Sequence, residues 1–424
     1  MILYSDYCPR IFPLNGDSDP SELDRVQGID PTSTLNREKI KEVGSDFTAW
    51  KRGTPTIGYA LTQNEEGTLE AWLKLANKSS SSKTVTLDDF KTSWFDICEY
   101  LTDDDGTFLG TMQYPKLRLS GFSIGIADPD AIIERSFDLV GEHAIHWKND
   151  NQYVIQLKAT VASAGLLDSA NNFDVVIGSG DYSDYPDPVA DPDVGAGKTD
   201  AEKYIQKIMR VRSGTSTELI VDDDYDYVNG TKTLTIADAQ ADDIYKIFYT
   251  ATSYVSGEST FVKDTSKSGG LTADSVDIYL YIPASGKPGS EDYLYRMQSA
   301  TIDVAFDRTD YKEIGNKDVV LRGVRENTVT VTLSRYLEKW TAEEILRGES
   351  STFGKIDVKE LSDDIALIIK VYEDDTKSTF KLGYKITSLS PTELRSSVAV
   401  DEYTSKDITL EADNLLITDD ANEL

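Results

Sequence analysis

His143 and His146 are the two histidines of the chain. Their H-x-x-H spacing, placed on a helix, would bring two imidazoles to one side of a metal ion. The surrounding residues predict the end of a β-strand instead, and no third ligand accompanies them, so structural or exposed histidines are expected. Asp222-Asp223-Asp224-Tyr225-Asp226 and Asp103–Asp105 superficially resemble calcium loops. Neither has the D-x-[DN]-x-[DN]-G spacing with a glutamate at the twelfth position, and solvated turns are the simpler reading. There is no P-loop or cysteine cluster. With 74 Asp and Glu, paired carboxylates carry no information. Asn77-Lys78-Ser79 and Asn229-Gly230-Thr231 match the glycosylation triplet, which is common by chance. Cys8 and Cys98 cannot form a disulfide framework and read as buried or incidental thiols. These residues therefore predict no catalytic site, no metal and no cofactor; the chain is expected not to be an enzyme.

Length and charge narrow the classes further. At 424 residues the chain has room for about three domains, and 39% hydrophobic residues supply real cores. No run reaches the roughly 18 apolar residues of a membrane helix. The opening MILYSDYCPR lacks a basic region followed by an apolar core, so neither a secretory signal nor a membrane partner is expected. The net charge of −31 excludes a grip on nucleic acid through its phosphates. Such a chain can still surround DNA without holding it. Solubility or adaptation to salt accounts for the charge equally well.

The elements that would position any site repeat. Arg25-Val26-Gln27-Gly28 answers to Arg296-Met297-Gln298-Ser299 at an offset of 271 (296 − 25). Lys41-Glu42-Val43-Gly44 answers to Lys312-Glu313-Ile314-Gly315 at the same offset (315 − 44). Arg52-Gly53 matches Arg322-Gly323 one residue slipped (323 − 53 = 270). Each Arg-Gly leads into an alternating strand and a short amphipathic helix. We read an internal duplication marked by Gly44, Gly53, Gly315 and Gly323.

Residues 1–24 read as an arm or loop, Arg25–Asp30 as a short strand, and Asn36–Gly44 as a polar loop. Phe47–Thr62 reads as one long strand, with Ile57, Tyr59 and Leu61 on one face and Thr56, Gly58 and Ala60 on the other. Leu69, Trp72, Leu73 and Ala76 have helical spacing within Glu66–Asn77. Lys78–Lys83 reads as a loop. Strands at Trp94–Leu101 and Phe108–Ser120 flank an Asp-Gly turn. Phe122–Ala127 continues as strand, and Phe137–Ala144 and Tyr153–Val161 are expected to complete the first sheet system. In the second copy Val329, Val331 and Leu333 alternate with Thr328, Thr330 and Thr332. Thr341 with Glu344 has capping-box spacing, and Trp340 with Ile345 that of a hydrophobic staple. Ala366–Tyr372 and Ser378–Leu389 restate the earlier hairpin, Leu382-Gly383 echoing Leu109-Gly110, and Ser405–Glu411 closes the copy. Between the copies, Gly178–Gly197 reads as a linker or long loop, Ile205–Tyr254 as short strands turning at Asn229-Gly230, and Ser275–Pro283 as another strand; the section is read as a small β-module in preference to an extended hairpin. The expected divisions are an arm (1–24), a first domain (25–175), a β-rich insertion (176–290) and a second domain (291–424).

The repeated unit resembles the tail tube, or major tail, proteins of tailed bacteriophages. The resemblance rests on Lys312-Glu313-Ile314-Gly315, Arg322-Gly323, the Thr/Val strand and Trp340-Thr341-Ala342-Glu343-Glu344-Ile345-Leu346, with Ser136–Glu142 as a closing strand in the first copy. It covers Arg25–Val161 and Arg296–Glu411. It implies a mainly β chain of two tandem sandwich or barrel units, each with a flanking helix. In the family such units join into rings around a hollow tube that conducts the genome. Two units per chain imply a ring of three chains with pseudo-sixfold symmetry. The implied partners are further copies, a tape measure protein, tail-tip or baseplate and terminator proteins and, where the tail is contractile, a sheath. The implied location is the virion tail, assembled in the host cytoplasm. Thr56, Gly58, Ala60, Thr328, Thr330 and Thr332 would then face the lumen. Ile57, Tyr59, Leu61, Leu69, Trp72, Val329, Val331, Leu333, Trp340 and Ile345 would form the sandwich cores. Two other readings stay open: another tube-fold component (tip, baseplate or terminator), and a secreted acidic β-sandwich that binds a ligand such as carbohydrate. A β-sandwich glycosidase has the least support, since no acid/base pair stands out.

Overall fold

The structure is a computed structural model. It describes residues 9–23, 26–35, 37–41, 48–52, 55–102, 108–127, 130–147, 153–195, 197–256, 270–283, 286, 288–289, 292–311, 321–337, 341–347, 361–362, 364–397 and 404–424. Side chains at 37–41, 48–52, 164, 310–311, 321–322 and 341 fall outside that description.

The chain is mainly β. Its first part holds β1 (Arg10–Pro13), β2 (Ser21–Glu22), β3 (Val26–Thr34), β4 (Arg37–Lys41), β5 (Thr48–Arg52), β6 (Thr56–Asn64), α1 (Glu70–Leu75), β7 (Thr84–Thr86), α2 (Leu87–Thr92), β8 (Phe95–Thr102), β9 (Phe108–Ile126), β10 (Glu134–Gly141) and β11 (Ile145–Trp147). The middle holds β12 (Tyr153–Thr160), β13 (Phe173–Val176), α3 (Asp200–Tyr204), β14 (Lys207–Arg212), β15 (Thr215–Glu218), β16 (Tyr225–Val228), β17 (Thr233–Ile236) and β18 (Ile244–Ala251). The last part holds β19 (Val276–Tyr281), β20 (Met297–Tyr311), β21 (Leu321–Tyr336), α4 (Thr341–Leu346), β22 (Ile365–Tyr372), β23 (Phe380–Ser397), β24 (Ser405–Ala412) and β25 (Leu416–Thr418).

One pairing scheme occurs twice. In the first part the neighbours run β3-β6-β10-β9, and β9 also pairs β8. In the last part they run β20-β21-β24-β23, and β23 also pairs β22. The irregularities coincide as well. A bulge falls at Gln27 in β3 and at Gln298 in β20, 271 residues apart (298 − 27). Others fall at Ser120 and Thr392, and at Leu109 and Lys381, each 272 apart (392 − 120; 381 − 109). Lys116 and Ser388, at the same spacing (388 − 116), both take positive φ, 55° and 54°. That left-handed conformation is uncommon outside glycine and marks a deliberate bend.

This register corrects two sequence matches. Arg52 faces Arg37, whereas the equivalent Arg308 faces Val324, so Arg52 corresponds to Val324 and not to Arg322. The bulges align Gly110 with Leu382, one residue away from the Leu-Gly echo. Gly323 lies in β21 opposite Thr309; Gly44, Gly53 and Gly315 lie outside the described residues.

The two parts join through β9 and β20, from Ile126 opposite Ala300 to Gly121 opposite Ala305. Gly121 is required there, because a Cβ would stand 2.8 Å from the Val304 carbonyl oxygen. The joined sheet has the order β23-β24-β21-β20-β9-β10-β6-β3 and stays open; among the described residues no barrel closes. Its apolar face packs against α1, α2 and α4 and against the outer strands in one continuous core. The centre of that core is Trp72, whose ring lies 5.0 Å from Phe122, 5.3 Å from Phe137 and 6.2 Å from Tyr384 of the second part.

Several elements depart from the sequence expectations because tertiary pairing overrides local pattern. Phe47–Thr62 is two strands, β5 and β6, and the supposed polar loop contains β4, which pairs with β5. Phe108–Ser120 and its expected continuation Phe122–Ala127 do form one strand, β9, since a bulge bends a strand without ending it. Arg10–Pro13 in the supposed arm is a buried strand on β8. β12 pairs β18 and does not join the first sheet, and β19, expected in the insertion, pairs β22. Trp340 and the Thr341 side chain lie outside the described residues, so the staple and the capping box there do as well.

The middle segment is a small sandwich of two sheets, β12-β18-β14-β15 and β13-β17-β16, with its own core. It docks on the first part through Phe12, Leu14, Tyr100, Val154, Met209 and Phe248. A buried ion pair between Lys207 and Asp96, 2.7 Å apart, crosses the same boundary. Lys246 is wholly buried and donates to the carbonyls of Asn15 (3.1 Å) and Ser18 (3.2 Å), clasping residues 14–19.

Burial, with neighbouring Lys158 adding repulsion against the pull of Asp19 and Asp17, lowers the pKa of Lys246 to about 7. The unfolded chain then binds more protons than the fold above that pH, so stability should rise with pH from about 7 by at most about 1.4 kcal/mol per unit. Burial raises the Cys98 thiol, which opposes the trend above its ordinary value of 9.0. Denaturant titrations at pH 7 and 8.5 should show the rise in the native chain and lose it in Lys246→Met.

Candidate functional site

Strand alternation sends every second residue of the joined sheet away from the core. One row on this outer face crosses all eight strands: Gly28, Thr62, Ser136, Ser123, Asp303, Thr330, Glu411 and Ser390. An adjacent row runs through Asp30, Ala60, Asp138, Gly121, Ala305 and Thr328. The next contains Asn64, Glu134, Gly125, Thr301, Thr332, Thr409 and Glu393. These three rows hold small, hydroxyl, amide and acidic side chains and no basic one. Asp407, whose Oδ1 accepts from Ser334 at 2.7 Å, continues the acidic character, with Arg395 beside it on β23. Along these rows the surface is wet and negative; the row beyond Ala60 and Asp138 carries Val140 and Arg118.

Both ends of the sheet are open. Among the described residues β3 pairs only with β6, and residues 390–397 of β23 pair only with β24. Side chains from Asp30 to Thr34 are exposed, as are most from Thr392 to Ser397.

Two buried ionic clusters stiffen the sheet from behind. Arg135 and Glu65 are both fully buried, with Nη1 and Oε1 3.3 Å apart. Glu65 also accepts from the Gly67 amide (2.8 Å) and the Tyr384 hydroxyl (2.6 Å). At the equivalent place in the second part, Glu343 accepts from Arg335 at 2.6 Å and lies 3.1 Å from Lys406. Register equates Arg135 with Lys406 and Gln63 with Arg335. Sequence reasoning missed both clusters by dismissing carboxylates as uninformative. The signal was a polar residue in a core-facing series: Gln63 after Ile57, Tyr59 and Leu61, and Arg335 after Val329, Val331 and Leu333.

Of the expected lumen residues, Gly58, Ala60 and Thr328 are exposed and Thr56, Thr330 and Thr332 half-buried, all on the face opposite the core. Ile57, Tyr59, Leu61, Leu69, Trp72, Val329, Val331, Leu333 and Ile345 are buried. His143 and His146 are both exposed. Among the described residues no group of three or more His, Cys, Asp or Glu is arranged to hold a metal. Asp222–Asp226 forms a turn leading into β16, with the Asp224 carboxylate accepting from the Ile220 amide; Asp103–Asp105 lies outside the described residues.

Fold and face together define a mainly β chain of two similarly paired parts sharing an open, acidic sheet. No protein-family model and no curated protein matches it. Among solved structures it is similar to a chain of the anti-feeding prophage baseplate, at 12% identity and a TM-score of 0.27, covering 35% of this chain and 96% of that one. It is similar to a chain of the same particle's tube-terminating cap, at 16% identity and a TM-score of 0.28, covering 37% and 96%. It is also similar to a chain of the sheath-tube complex of an extracellular contractile injection system, at 14% identity and a TM-score of 0.27, covering 38% and 100%.

Proposed function

We propose that this chain is a structural, self-assembling subunit of a phage-type tail tube, made by duplication of one sheet-forming unit. The observation that carries the reading is the uninterrupted polar face crossing both parts, backed by one core and open at both ends. A sheet with two open edges is an invitation to further pairing, and closure into a ring removes the exposure. Three chains supply six units, and stacked rings enclose a bore lined by the acidic face. Inward positions of a wide barrel need to be wet, and carboxylates repel a phosphate backbone, so DNA slides without sticking. The reading assigns no catalytic chemistry and no cofactor. Its partners are other copies, a tape measure protein, tip or baseplate and terminator proteins, and a sheath if the tail contracts; its place is the virion tail after assembly in the host cytoplasm.

Negative-stain microscopy of the purified chain, with its mass in solution, tests this: stacked rings are expected. Single rings that never stack favour a tip, baseplate or terminator component, and a stable monomer refutes assembly. Within assembled tubes, Thr330→Lys combined with Asp303→Lys should slow DNA ejection and make tubes retain added duplex DNA at low salt. Unchanged ejection and no retention would remove the face from the bore.

A further inference from the structure

The joint between β9 and β20 shows what the two open edges can do. By the coincidence of pairing and bulges, β23 is the counterpart of β9 and β3 the counterpart of β20. Inside the chain, the edge of the first unit therefore already pairs with the edge of the second. The leftover edges, β23 and β3, form the same complementary couple, but they lie at opposite ends of one sheet. We infer that β23 of one copy pairs antiparallel with β3 of the next copy, in the register that β9 and β20 use within the chain.

Carrying the internal register over, with 272 for β9 to β23 and 271 for β20 to β3, gives the partners residue by residue. Phe122 opposite Val304 becomes Leu394 opposite Ser33, and Ser123 opposite Asp303 becomes Arg395 opposite Thr32. Ile124 opposite Ile302 becomes Ser396 opposite Pro31, and Gly125 opposite Thr301 becomes Ser397 opposite Asp30. Glu393 stands where Gly121 does, and the internal joint has no room for a side chain there. The intermolecular ladder accordingly begins at Leu394.

Three features fit this couple. Arg395 would lie diagonally from Asp30, an opposite-charge pair within reach across neighbouring strands. Leu394 and Ile29 belong to the core-facing series yet stay only partly buried against it, as happens where the next strand of a sheet is missing. Pro31 withdraws one donor from the edge and discourages indiscriminate pairing. Because the two edges differ, the contact is head-to-tail. Such contacts close into rings or run on as helices, whereas pairing β3 with β3 would stop at a dimer.

The inference rests on the assembly reading, and the test separates them. In the full chain with Cys8→Ser, Thr32→Cys and Arg395→Cys are introduced together and treated with dibromobimane, which bridges only adjacent thiols; Cys98 is fully buried. Both sites are exposed, so folding should survive, and circular dichroism checks it. A denaturing gel should show a ladder ending at three chains. Mixed single variants should give only dimers. Gly28→Cys with Arg395→Cys is about four residues, ~13 Å, out of register and should give no ladder; a Cβ at Gly28 meets only ordinary contacts at 3.8 Å. Rings or tubes in micrographs with no ladder, or with an equal ladder from the control pair, overturn the pairing while assembly stands. A ladder without rings or tubes supports the pairing and removes the ring. Neither particles nor a ladder refutes both.

Discussion

Glu65→Ala is expected to lower the unfolding free energy by about 3–5 kcal/mol, because it leaves the buried Arg135 guanidinium without its charge partner. Both side chains are fully buried, so water cannot take over from the carboxylate. The Tyr384 hydroxyl and the Gly67 amide lose an acceptor in the same step. Removing the cation together with the anion should behave differently. A Glu65→Leu, Arg135→Met, Tyr384→Phe variant replaces the cluster by apolar volume and should recover most of the loss, since a buried pair and a well-packed hydrophobic set are often close in stability. Urea unfolding of the single and triple variants checks this. A single variant costing less than about 1 kcal/mol would show that the ion pair is not the constraint argued here.

Trp72→Ala should cost a comparable amount, about 3–5 kcal/mol, from lost burial and a cavity that the sheet can only partly close. The position differs from an ordinary core site in what it joins. Its ring touches Phe122 and Phe137 on β9 and β10 and Tyr384 on β23, so the cavity opens between the two parts. We expect near-ultraviolet dichroism and assembly to be lost at lower temperature than far-ultraviolet dichroism in this variant. Trp72→Phe, which refills most of the space, should restore cooperative melting. Coincident transitions in Trp72→Ala would mean that the ring does not couple the parts.

Much of this fold was legible because strict alternation survives wherever a strand has one wet face. Ile57, Tyr59 and Leu61 against Gly58 and Ala60, and Val329, Val331 and Leu333 against the threonines, could be assigned to their sides without coordinates. The 271-residue offset at Gln27 and Gln298 was legible too, and the matching bulges give it a structural meaning. What sequence could not supply was partner choice. β12 has the same apolar run whether it ends the first sheet or opens the insertion, and only non-local pairing with β18 decides. The Arg-Gly match failed because two common residues can coincide by chance one slip from the true register. The acids of the outer face were half-hidden: Asp138 between Phe137 and Leu139, and Asp303 between Ile302 and Val304, reveal their side once the flanking residues are known to be core. Thr199 with Glu202 has the same spacing as Thr341 with Glu344, and it caps the short α3.

β9 and β23 have a mechanical consequence. Each is shared between an outer strand layer and the joined sheet: β9 pairs β8 along its first half and β10 along its second, and β23 pairs β22 and then β24. At 19 and 18 residues they extend about 60 Å, bent at Lys116 and Ser388 but unbroken. A force applied to the exterior, for instance through the insertion docked beside β8, would therefore reach the opposite surface as tension along a single backbone.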